Sequence, residues 1–160
     1  MERIDKLLRH PLWREAMDDI EAAEAARTFC RHGLPHLLDV ARLAHIENLE
    51  RGLGLSKETV YAAALLHDIG RGLQYTQGVP HHEGGVRLAE PILRDCGFSE
   101  AETAEILHAI GGHRTAETAA DGGLPGLLYR ADKASRNCLF CEAEAACNWS
   151  PEKKNMILKG

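Results

Sequence analysis

The chain has 160 residues, with 19 Lys and Arg against 24 Asp and Glu and a formal net charge of −5. That balance argues against a general nucleic-acid or membrane-surface binder, so a polyanionic ligand would be met locally, by a metal and a few Arg or Lys. The length suits one domain spanning 1–160, and 44% hydrophobic with only 5% aromatic content, rich in Ala and Leu, favours packed helices over a β-sandwich.

In chain order, residues 3–9 and 12–31 read as two helices broken near Pro11. Gly33-Leu-Pro35 stops one helix and starts another, over about 35–51, which ends at Gly52 and Gly54. Ser56 is a good N-cap for an almost wholly apolar helix running to about Ile69. Three glycines and a proline make 70–80 a loop, followed by a helix from about His82 to Cys96. Ser99-Glu-Ala-Glu102 has capping-box form and opens a helix to about Ile110. A Gly-rich loop over 111–125, a helix over about 125–138 and a short terminal helix from Ser150-Pro151 complete the reading. No segment alternates with period two, so the class is all-α. No apolar run approaches the ~20 residues of a membrane span, and the N-terminus carries no signal-peptide core; a cytoplasmic protein is expected.

Ionisable side chains in apolar helical settings carry the functional signal. His36 shares a helical face with Val40 and Leu43, His67-Asp68 closes the apolar run, and Asp132 follows Leu127, Leu128 and Tyr129. Burying any one of these is costly without a partner, although a lone inward His is often just a hydrogen-bonded core residue and Asp132 could pair with Arg136 at i+4. A shared divalent metal suits all four, because neutral His and ionised Asp are ligands for the same ion.

The strings His36-Leu-Leu-Asp-Val-Ala, Ala63-Ala-Leu-Leu-His67-Asp68-Ile-Gly-Arg and Tyr129-Arg-Ala-Asp132-Lys, in that order, resemble the HD superfamily of metal-dependent phosphohydrolases over about residues 30–137. The resemblance implies a helical bundle with a metal site in its core, held by His36, His67, Asp68 and Asp132. Pro80-His81-His82-Glu-Gly-Gly and Ala109-Ile-Gly-Gly-His113 look like the two-metal branch, closest in pattern to diadenosine-tetraphosphate hydrolases. That implies His81, in preference to His82, and His113 as ligands of a second ion, with Asp68 bridging. The expected reaction is hydrolysis of a phosphate ester or anhydride of a nucleotide or related small molecule by metal-activated water. Asp68 would orient the water, with Lys133 and Arg136 also in catalytic positions and Arg71, Lys133 and Arg136 as phosphate contacts. Iron or manganese is preferred, with zinc, cobalt, nickel and magnesium as alternatives, as one or two ions. The competing reading is a metal- or nucleotide-binding sensor without turnover. No membrane partner is expected, and a homodimer is compatible with the sequence.

The five cysteines are an odd number, and disulfides are not expected. Cys138-Leu-Phe-Cys141 and Cys147 form C-x2-C-x5-C, and Cys30 could supply a fourth ligand to a structural zinc. The alternative is reduced, partly buried thiols. These residues belong to a Cys-containing C-terminal extension over 138–160; Cys96 reads as a helix-end thiol.

Overall fold

The computed structural model describes residues 1–158, and among these residues there are helices and turns but no strand. Eight α-helices follow one another: α1 (Glu2–Arg9), α2 (Pro11–Ala23), α3 (Leu34–Glu50), α4 (Lys57–Leu66), α5 (Arg71–Gln77), α6 (His81–Asp95), α7 (Glu100–Gly112) and α8 (Leu124–Ala134). Short 3-10 turns lie at Ala116–Ala120, Cys138–Phe140 and Glu144–Ala146. None of the helices is long and apolar enough to cross a membrane.

The apolar run marks the centre. α4 is buried from Ala62 to Leu66, and its alanines let α3, α7 and α8 approach it closely. Trp13 on α2 reaches across and donates its indole N–H to the Leu65 carbonyl (3.1 Å), satisfying an acceptor left over at the end of α4. Arg3 clasps α1 to the bundle: it pairs with Glu58 (2.6 Å) and Glu102 (3.0 Å) while lying over the Phe98 ring. Helix starts follow local chemistry. Prolines occupy the first turn of α2, α3 and α8, and Ser99 and Glu102 form the capping box of α7.

Four segments differ from the sequence expectations. α2 stops at Ala23 instead of running to 31, because Glu24 turns inward and its carboxylate accepts from the His32 backbone N–H (2.7 Å) and ring and from the Tyr75 hydroxyl (2.6 Å). The expected loop over 70–80 contains α5, which packs on α2 and α6. α8 ends at Ala134, four residues short of the expected 138. Ser150-Pro151 begins turns and no terminal helix; Asn155 ties that tail down by donating to the carbonyls of Lys133 (2.6 Å) and Arg136 (2.8 Å).

Candidate metal centre

Helix ends aim the polar side chains inward. His36 stands in the first turn of α3, His67 caps the C-terminus of α4 with Asp68 next to it, His81 opens α6, His113 caps the C-terminus of α7, and Asp132 lies on α8. All six are buried. One ligand atom each from His36, His67, Asp68 and Asp132 lies within 4.8 Å of the others, and the same holds for Asp68, His81 and His113.

Asp68 faces both groups with different oxygens. Its Oδ2 is 3.5 Å from His36 Nε2 and 3.3 Å from His67 Nε2; its Oδ1 is 3.5 Å from His81 Nε2 and 3.8 Å from His113 Nε2. Asp132 Oδ1 completes the first group, 3.4 Å from His36 and 3.7 Å from His67. Donors about 2.0–2.2 Å from one ion stand roughly 3–3.5 Å from each other, close to this spacing.

The outer nitrogens fix the tautomers. His67 Nδ1 donates to the Ala64 carbonyl (2.7 Å) and His113 Nδ1 to the Ile110 carbonyl (2.6 Å). His81 Nδ1 meets Gln74 Oε1 (2.7 Å), and His36 Nδ1 meets Ser135 Oγ (3.2 Å), whose own proton goes to the Asp132 carbonyl. With every Nδ1 a donor, each neutral ring turns an Nε2 lone pair inward. His81 and His113 then oppose lone pairs at 3.1 Å, an arrangement that a cation beside both would relieve. His67 Nε2 and both Asp68 oxygens are buried without an aligned hydrogen bond. These residues fit a divalent cation, and its ligand chemistry supplies what the protein's own donors do not.

Without an ion, the two buried carboxylates are balanced partly by a proton on His67, which a bound cation would displace. Burial opposes ionisation of Asp68, but His67, His36 and Arg71 outweigh it and hold the carboxyl well below its ordinary range; Asp132 behaves likewise beside His36 and His67. Burial also opposes charge on His67, yet the two carboxylates push it up to about 10. In contrast, burial is the leading cause that lowers His81 to about 3, and His113 and His32 to about 4. The metal-free protein should therefore be most stable near pH 6.5. Toward acid, the unfolded chain takes up protons that the folded His32, His81 and His113 refuse, so stability falls from about pH 6.5 to 3; toward alkali, the contribution of His67 is lost between about pH 6.5 and 10. Urea midpoints across that range would check this, and a flat profile from pH 7 to 4 would contradict it.

Above the cluster opens a cavity of about 360 Å³ ringed by Arg27, Arg71, Arg114, Lys133 and Arg136. Arg71 Nε is 2.9 Å from Asp68 Oδ1, and Lys133 Nζ is 2.5 Å from Asp132 Oδ2. Arg136 does not pair with Asp132; it donates to the Arg31 carbonyl (2.8 Å) and sits 3.1 Å from His36 Nε2, a contact a cation at His36 would replace. Arg27 and Arg114 were not singled out from sequence. Arg114 carried a usable signal, since it directly follows His113 as Lys133 follows Asp132. His32 lies in this wall with Glu24 behind it. His82 is not part of either ligand group. The cysteines Cys30, Cys138, Cys141 and Cys147 line an adjoining cavity, and Cys96 is a buried C-cap of α6.

The HD-domain family profile matches residues 33–149. An uncharacterized protein of Clostridium beijerinckii is 45% identical over 132 residues, 82% of each chain. Ribonuclease Y of Oleidesulfovibrio alaskensis is 31% identical over 108 residues, 68% of this chain but only 19% of that longer protein. The crystal structure of a predicted HD superfamily hydrolase from an uncultured Thermotogales bacterium superposes with a TM-score of 0.64 at 24% identity, covering 89% of this chain and 81% of that one. At that identity the likeness speaks for the fold.

Proposed function

The chain belongs to the HD-domain family, and we propose that it is a metal-dependent phosphohydrolase acting on a phosphate ester or anhydride of a nucleotide or similar small molecule. The observation that carries the reading is Asp68: its two buried oxygens face two separate ligand groups beneath a ring of five cationic side chains. His36, His67, Asp68 and Asp132 would hold one ion, and Asp68, His81 and His113 a second, with iron or manganese suited to an all-His/Asp set. Bound there, such ions lower the pKa of water and polarise a phosphoryl oxygen.

The protein's own groups do the remaining work. Asp68, ionised and buried, accepts a hydrogen bond from the attacking water and orients it toward phosphorus. Arg71 and Lys133, paired with Asp68 and Asp132, stand where they can also hold phosphoryl oxygens, and Arg114 and Arg27 extend the positive wall. Water oxygen bonds to phosphorus, the bond to the leaving group breaks, and the cationic wall stabilises the negative charge that develops. The net charge of −5, with the cations gathered around one cavity, favours a small substrate over a long nucleic acid.

The test is a release assay on protein stripped and reloaded with manganese or iron, against mononucleotides, nucleoside polyphosphates, dinucleoside polyphosphates and a short RNA. Hydrolysis of one small-molecule class is expected. Cleavage of RNA alone would overturn the small-substrate reading. Metal uptake with no hydrolysis of any member would favour a sensor.

A further inference from the structure

Outside the His/Asp cluster, the densest group of potential ligands is sulfur. Cys30, in the segment between α2 and α3, and Cys138, Cys141 and Cys147, in the tail after α8, all line one cavity of about 280 Å³. All four are free thiols. The C-x2-C pair brackets the turn Cys138–Phe140, closed by the Cys141 N–H donating to the Cys138 carbonyl (3.1 Å); Cys147 follows the next turn, closed onto the Glu144 carbonyl (3.1 Å). The two turns carry cysteines three and six positions apart in sequence onto the wall of the same cavity.

Arg31, Arg136 and Lys154 share that cavity. Asp39 and Glu144 line it as well, and Lys154 is paired with Glu144 (2.7 Å), which leaves Arg31 and Arg136 to offset the double negative charge of a divalent ion bound by four thiolates. We propose that Cys30, Cys138, Cys141 and Cys147 form a second metal site, for a thiophilic divalent cation of the zinc type, separate from the His/Asp centre. Binding replaces four S–H bonds by four Zn–S bonds and releases four protons to solvent. Among the described residues no three of these sulfurs lie within 4.8 Å of one another. Zn–S bonds of about 2.3 Å would draw the four sulfurs together, three of them carried on the short turns that follow α8.

The ion would join the tail to the segment ahead of α3. Trp149, two residues past Cys147, belongs both to this cavity and to the wall of the pocket above the His/Asp centre. A closed thiolate site would therefore hold that wall in place. The inference rests on the cysteines and is independent of the phosphohydrolase reading.

The experiment counts metals in protein purified under reducing conditions, for the wild type, Asp68→Ala and the double variant Cys138→Ser/Cys141→Ser. About one zinc per chain is expected in the wild type and Asp68→Ala, and none at this site in the double variant. Cobalt-substituted Asp68→Ala should show a near-ultraviolet sulfur-to-cobalt charge-transfer band. Should the double variant not fold, titrating the wild type with an organomercurial thiol reagent should release one zinc to a chromogenic chelator. Zinc content unaffected by the cysteine changes, absence of the cobalt–thiolate band, a disulfide between these cysteines, or an iron–sulfur chromophore in place of zinc would each overturn the proposal.

Discussion

Asp68→Ala is expected to lower phosphate release by roughly 10²–10⁴-fold, the range seen when a positioned acid or base is removed. No other residue contributes to both ligand groups, so its loss should weaken binding of both ions, where loss of His81 or His113 should weaken one. The effect can be read without knowing the substrate. A ligand present at 100 times its Kd stabilises the folded chain by about 2.7 kcal/mol, so manganese should raise the melting temperature of the wild type and leave that of Asp68→Ala nearly unchanged. Asp68→Asn is the sharper version, keeping the shape and removing the charge that His67, His36 and Arg71 stabilise. A wild-type manganese shift in Asp68→Asn, together with wild-type turnover, would mean that the carboxylate neither binds metal nor orients water.

Four of the six inward residues, His36, His67, Asp68 and Asp132, stand out in the sequence because each puts an ionisable side chain in an apolar helical pattern, where it must have a partner; His81 and His113 break no such rule and are reached only through the family resemblance. The supporting atoms left no such trace. Gln74 and Ser135 are ordinary polar residues in sequence, and only packing shows that they orient His81 and His36. The same limit applies to α5. Its flanking glycines and Pro80 read as loop chemistry, yet Arg71–Gln77 is helical because it lies against α2 and α6. The second helix, expected to reach 31, is shorter for a related reason: His32 and Tyr75 draw Glu24 inside and the helix ends there. Local pattern determines which residues want to be buried, and tertiary partners decide where helices stop.

Gly70→Ala is expected to damage the fold severely for so conservative a change, costing about 3 kcal/mol or more, at or above the upper end of ordinary overpacking. The reason is not conformational freedom, since Gly70 has φ −76°, which any residue adopts. It is contact: a Cβ there would overlap the His81 carbonyl oxygen and the Gly85 amide nitrogen and come within 2.8 Å of the Gly84 carbonyl carbon. Those atoms are backbone in the first turns of α6 and cannot rotate away, so α6 must shift as a body. Because α6 carries His81 and Gly70 stands two residues from Asp68, the shift would separate the second ligand group before it disturbs the first. Gly111→Ala on α7 is the natural control, with only an ordinary 3.8 Å contact to Val86 awaiting its methyl; it should be neutral or stabilising by up to about 1 kcal/mol. Denaturant midpoints would give the stabilities, and calorimetric metal titration would show whether one binding event disappears in Gly70→Ala while another persists. A Gly70→Ala protein with the wild-type midpoint and unaltered metal binding would show that α6 is not seated against the His-Asp turn as described, and the bridging role of Asp68 would lose its structural basis.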